Sequence, residues 1–147
     1  MEQDQAFELI DQLSFFAEFT PEEKHFLSTL ESQIYKYFPS DAIIKEGETD
    51  YSFFILLKGV VAVVKSNPKE VTIAKLKAGA VFGEIAYITK RTRTTSVIAD
   101  GDVIALKIHT NDIDTLLPSI PTKLKDKLIE ILVNRLETMN EQVTRNV

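Results

Sequence analysis

Residues 81–99 read VFGEIAYITKRTRTTSVIA, and several unlike local signals fall together in this one run. Gly83 has no Cβ, so its backbone can come close to another group. Glu84 follows at once, a carboxylate able to accept hydrogen bonds from sugar hydroxyls. Ile85 to Thr89 reads as one helical turn, whose free amides favour an anion. Arg93, nine residues after Glu84, carries a planar fork suited to phosphate oxygens. Thr94-Thr95-Ser96-Val97-Ile98-Ala99 is β-branched and predicts a strand leading away from the cluster.

Outward from this run, residues 33–108 are short stretches rich in Val, Ile, Phe, Tyr and Thr. Pro39-Ser40-Asp41, Glu46 to Asp50, Ser66-Asn67-Pro68-Lys69 and Lys77-Ala78-Gly79 divide them. Asp100-Gly101-Asp102 is a hairpin signal between two strand-like runs. Many short strands at this spacing predict a barrel or a jelly roll rather than alternating βα units. Before them, Phe7, Leu9, Ile10, Leu13, Phe15 and Phe16 are too crowded for a solvated tail. Thr20-Pro21-Glu22-Glu23 is a helix start, with a Thr cap, Pro at the first helical position and Glu three after the cap. That helix is expected to carry Phe26, Leu27 and Leu30 on one face. After Ile108 the pattern returns to helix, with capping residues at Thr110-Asn111-Asp112-Ile113. Pro118 and Pro121 are expected to break the chain before a long helix from about Thr122 to Val143. On that helix Leu124, Leu128, Ile131, Leu132, Leu136, Met139 and Val143 recur at three- and four-residue steps.

At Phe82-Gly83-Glu84-Ile85-Ala86, Arg93, Thr94 and Thr95 the chain resembles the phosphate-binding cassette of the cyclic-nucleotide-binding domain family, with no insertion or deletion. The resemblance continues upstream through Ala42 to Glu48, Phe53 to Gly59 and Val60 to Val64. Gly47, Gly59, Gly79 and Gly83 fall where that family turns its backbone tightly. The resemblance implies a mainly β fold, a double-stranded β-helix (jelly roll). It also implies N-terminal helices, a short phosphate-binding helix and a long C-terminal helix. The division expected within a single domain, 1–147, is N-terminal helices over 1–32, the jelly roll over 33–109 and C-terminal helices over 110–147.

The same resemblance implies a sensor or regulatory module that binds cyclic AMP, or alternatively cyclic GMP. Arg93 would neutralise the cyclic phosphate, the amides near Ala86 would donate to it, and Glu84 would accept from the ribose 2′-hydroxyl. Thr94 is either a contact to a guanine amino group or a β-branched residue that begins a strand. Lys90 and Arg91 read as a solvated loop tip that draws anions. The lid over the base would come from the C-terminal helix, with Leu128, Leu132 and Arg135 as candidates; the leucines also fit a core or helix–helix seam. Tyr87 either faces the pocket or packs. Ligand capture is expected to move the short helix and redock the C-terminal helix over the base or alter a dimer contact.

The 147 residues suit one domain with a real core, and 44% hydrophobic with 27% charged residues fits a globular chain. A net charge of −5 opposes a general nucleic-acid surface. The absence of cysteine removes disulfides and thiolate metal sites. His25 and His109 are the only histidines, and neither has a second at metal-binding spacing, so no metal is expected. With no nucleophile triad and no Walker loop, an enzyme is not expected. The N-terminus lacks signal-peptide order, and Phe53 to Val64 is too short to span a bilayer; the cytoplasm is the expected location. The expected partners are the nucleotide, a homodimer through the C-terminal helix, and an unknown effector. The chain alone is not expected to read DNA, since no basic recognition helix follows. The alternatives are a degenerate domain serving protein interaction or dimerisation, or the sensor fragment of a transcription regulator.

Overall fold

A computed structural model of the chain describes residues 2–30, 33–66, 68–109 and 116–145, with side chains up to residue 141. Helix α1 (Gln3–Asp11), a single 3-10 turn (Ser14–Phe16) and helix α2 (Pro21–Ser28) come first. The start of α2 is the one its sequence predicts. Thr20 Oγ1 accepts from Glu23 N at 3.1 Å, and Thr20 N donates back to Glu23 Oε1 at 2.7 Å. That reciprocal pair satisfies two amide groups that a helix start leaves open.

Eight strands follow: β1 (Ile34–Tyr37), β2 (Ala42–Ile44), β3 (Phe53–Lys58), β4 (Val60–Lys65), β5 (Val71–Lys77), β6 (Val81–Phe82), β7 (Ser96–Ala99) and β8 (Val103–Ile108). Helix α3 (Glu84–Thr89) lies between β6 and β7, and helix α4 (Ser119–Arg145) ends the described chain. The strands form two four-stranded antiparallel sheets, ordered β1-β8-β3-β6 and β2-β7-β4-β5. Sequence neighbours other than the β4–β5 pair are thus divided between sheets, which makes the fold a jelly roll.

Two glycine corners carry the chain between the sheets. Gly59 alone separates β3 from β4, at φ 98°, and a Cβ there would stand 2.3 Å from the Asp102 carbonyl oxygen. Only glycine fits both demands. The turn at Asp100-Gly101-Asp102 is tight, as expected, but it is not a hairpin. β7 belongs to the second sheet and β8 to the first, so the turn crosses the sandwich edge. The local signal specifies a tight reversal; burial of Val97, Ala99, Val103 and Ala105 between the sheets specifies the crossing.

β3 explains why its sequence reads as an unbroken apolar run rather than an alternation. Phe54 and Leu56 face the core between the sheets. Phe53, Ile55 and Leu57 face a second core, built with Ile10, Phe16 and Leu27 from the N-terminal segments and Ile120, Leu124 and Leu128 from α4. Leu128 is therefore core, not lid.

α4 starts earlier than its sequence suggests. Pro121 sits within the first turn instead of breaking the chain, because amides there have no intrahelical acceptor to lose. The caps expected at Thr110-Asn111-Asp112-Ile113 lie outside the described residues, as do Asn67 of the expected 66–69 break and the Val143 side chain. Along α4, Leu124 and Leu128 are buried, Ile131 and Leu132 half-buried, and Leu136 and Met139 59% exposed. The helix runs about 40 Å, so its second half outreaches the sheet it packs against. Among the described residues no helix is long and apolar enough to cross a membrane.

Candidate functional site, a cavity between the sheets

β6 is the shortest strand, yet it fixes where the site begins. Phe82 pairs with Phe54 across the sheet, and their rings stack at 5.0 Å with planes 2° apart. Gly83 then turns the chain at φ 81° and caps α3. A Cβ at Gly83 would lie 3.0 Å from Arg93 Nη1 and 3.1 Å from the Ser52 carbonyl oxygen. The missing side chain thus makes room for Arg93 itself. From α3 the chain returns to the second sheet at β7, so residues 81–97 wrap a cavity of about 300 Å³. That size lies at the lower end of small-molecule sites.

Phe82, Gly83, Glu84, Ile85, Ala86, Arg93, Thr94 and Thr95 all line this cavity, and Ile44, Leu76, Val97 and Arg135 close it. The amides of the first turn of α3 lack intrahelical acceptors. Of the candidate lid residues only Arg135 reaches the cavity; Leu132 is half-buried on α4 and does not line it. Tyr87 packs instead, edge-on to Phe53 at 4.8 Å. Lys90 and Arg91 are exposed at the end of α3, and Lys90 Nζ lies 4.7 Å from the Tyr87 ring centroid.

Glu84 and Arg93 are both buried, at 4% and 5% exposure, and among the described residues they do not pair with each other. Glu84 Oε1 accepts from Arg135 Nη1, which joins α4 to the cavity. Arg93 Nη1 donates to the Gly83 carbonyl at 2.8 Å and Nη2 to the Ser52 carbonyl at 2.7 Å. Asp50 Oδ2 stands 3.9 Å from Nη2. Burial pulls the guanidinium below its ordinary pKa, against the pull of Asp50, Glu48 and Glu84. Its Nε is buried with no hydrogen-bond partner. A buried cation whose donors go to carbonyls, with one left over, has unused capacity for an anion.

The main chain of Arg93 is clamped as well. Its amide donates to the Glu48 carbonyl at 2.9 Å, and its carbonyl accepts from Gly47 N at 2.8 Å. The sequence marks Gly47-Glu48 only as a turn; its bonding to a residue over forty positions away has no local signal. Asp50 and Ser52, which meet the Arg93 fork, are likewise absent from the candidate site residues. Neither histidine approaches the cavity lining. His25 stacks on Phe7 at 3.9 Å, and no group of potential metal ligands exists among the described residues.

The sequence profile described as "Cyclic nucleotide-binding domain" matches residues 35–119, more than half of the chain. The chain is 32% identical over 117 residues to a cAMP-dependent protein kinase regulatory subunit of Hypocrea atroviridis, covering 79% of this chain and 24% of that subunit. It is 33% identical over 104 residues to cyclic nucleotide-gated channel beta-3 of Canis lupus familiaris, covering 67% of this chain and 13% of the channel. It thus spans a quarter or less of these relatives' length. Among solved structures, a cyclic nucleotide-binding domain from Methylobacillus flagellatus superposes with a TM-score of 0.74 at 24% identity, over 99% of this chain and 84% of that one. The catabolite activator protein of Thermus thermophilus does so at 0.71 and 22% identity, over 88% and 61%. These two likenesses concern the fold; the profile match concerns descent, and by it the chain belongs to the cyclic nucleotide-binding domain family.

Proposed function

We propose that this domain binds a cyclic nucleotide, cyclic AMP first, as a non-catalytic sensor, and that α4 carries the signal outward. The observation that supports this most is Arg93, buried in the wall of a cavity with Nε unpartnered and two backbone carbonyls holding its fork. Arg93 would receive the phosphate, and the first amides of α3 would donate to it. Glu84 would accept from the ribose 2′-hydroxyl. Arg135 holds Glu84, so ribose binding would compete with that ion pair and thereby act on α4. The choice of cyclic AMP rests on the relatives: the subunit that is 32% identical is named for its cAMP dependence. Thr94 at the cavity leaves cyclic GMP as the competing ligand.

A second copy of the chain is the partner we assign to the outer half of α4. Ile129, Val133 and Leu136 are exposed at four- and three-residue spacing. Asn140 takes the next position of the same heptad seam, an order that suits a two-stranded coil.

The test is thermal unfolding with cyclic AMP, cyclic GMP and 5′-AMP, beside calorimetry on the wild type and Arg93→Ala. A ligand at a hundred times its dissociation constant adds about 2.7 kcal/mol, roughly 5–10 °C for a domain of this size. Stabilisation by a cyclic nucleotide and not by 5′-AMP supports the reading. A flat response to both cyclic nucleotides would instead favour a domain kept for protein interaction.

A further inference from the structure

The Arg93 fork is held from behind by a turn outside the cassette. Asp50 Oδ1 accepts twice from Ser52, from its amide at 3.0 Å and its hydroxyl at 2.7 Å. This is a closed Asx turn. Ser52 is fully buried, so its hydroxyl has to be satisfied within the protein. The turn presents the Ser52 carbonyl to Arg93 Nη2 at 2.7 Å, while the Gly83 carbonyl holds Nη1. Two fixed acceptors define the plane of a rigid fork, and a fork oriented before the ligand arrives loses less freedom on binding.

We propose that Ser52 is a positioning residue for anion capture, its carbonyl aimed at Arg93 by the Asp50–Ser52 staple. The inference rests on the reading that Arg93 receives the phosphate. Charge attraction from Asp50 is the rival cause, and the distances decide against it. Asp50 Oδ2 lies 3.9 Å from Nη2, beyond hydrogen-bond reach, and it is shared with Lys107 Nζ at 3.5 Å. The Ser52 carbonyl makes the short contact.

Four variants of the full chain separate the two causes: Asp50→Asn keeps an acceptor for both Ser52 bonds and discards the charge. Asp50→Ala discards both. Ser52→Ala removes only the hydroxyl bond, and Ser52→Thr restores it. Two readouts are taken: the ¹⁵N spectrum of the Arg93 side chain in the ligand-free protein, and the dissociation constant for cyclic AMP. Expected are an Asp50→Asn spectrum like the wild type with affinity within about threefold, and an Asp50→Ala spectrum with averaged Nη signals and affinity down about tenfold. Ser52→Ala falls between, and Ser52→Thr recovers. The proposal is overturned if Asp50→Asn does as much damage as Asp50→Ala, or if Ser52→Ala leaves the Arg93 signals unmoved. Should Asp50→Ala fail to fold, the Ser52 pair makes the same comparison. A wild type that binds neither cyclic nucleotide defeats the functional reading alone, because the ligand-free spectrum still decides whether the staple orients Arg93.

Discussion

Arg93 joins the packing of the cavity to its proposed chemistry, since the contacts that orient its fork also leave Nε without a partner. Truncation to alanine removes the proposed phosphate partner, and binding should weaken by about 2–5 kcal/mol. It also takes the Arg93 donor from the Ser52 carbonyl and leaves the Gly83 carbonyl only the long bond from Tyr87 N at 3.4 Å. Calorimetry therefore has to be run well below the variant's melting temperature. Gly83→Ala attacks the same fork indirectly. Its Cβ would press on Arg93 Nη1 at 3.0 Å, from a backbone at φ 81° that side chains resist. We expect a loss of cyclic AMP affinity nearly as large as for Arg93→Ala; an unaffected dissociation constant would show that the guanidinium tolerates displacement. Arg93 is legible because the resemblance to the family's cassette, in register from Gly83-Glu84, picks it over Lys90 and Arg91. Its supports are not, because Glu48, Asp50 and Ser52 reach it through the fold and share no local pattern with it.

Among the elements, α2 and α4 are pinned together by one buried carboxylate. Glu23 closes the cap of α2, and its oxygens also accept from Lys123 Nζ at 2.5 Å and from Ser119 Oγ, both on α4. Burial alone would raise its pKa, but Lys123, Ser119 and the Thr20 amide together lower it from 4.5 to about 2. A folded value below the unfolded one means stability present above about pH 4.5 and lost as pH falls toward 2. At 1.36 kcal/mol per unit the contribution is about 3 kcal/mol. Urea midpoints at pH 7, 4 and 3 should therefore fall less steeply in Glu23→Gln, which begins from a lower value at pH 7; parallel curves would remove Glu23 from the acid response. The capping box announced α2 in sequence because a cap is a local device. The docking of α4 on it, 96 residues away through Ser119, has no local counterpart. The stripe on α4 likewise showed an apolar face without showing where the protein beneath it ends.

At the scale of the molecule, α4 divides into two unlike halves, and under the proposed function this division would set how far a signal from the cavity travels. Ile120, Leu124 and Leu128 belong to the core shared with β3 and β8, so the first half moves only at the expense of buried apolar contacts. Ile129, Val133, Leu136 and Met139 are exposed, and the second half is tied to the cavity by the ion pair of Arg135 with Glu84. Arg135 is itself partly solvated while Glu84 is buried, so the pair gives way only where another donor takes over the carboxylate. In the proposed reading a ribose hydroxyl donating to Glu84 would replace the bond lost from Arg135 and so free the outer half. Shifting the inner half would instead expose buried apolar side chains. Hydrogen exchange on adding cyclic AMP should change protection over residues 129–140 and leave 119–128 as they were. Arg135→Ala should raise exchange in the outer half without ligand and remove most of the ligand response there, while Glu84→Gln should do likewise with weaker binding. Equal changes along the whole of α4 would mean that the core itself repacks, and that the Arg135–Glu84 tie is not where the helix senses the ligand.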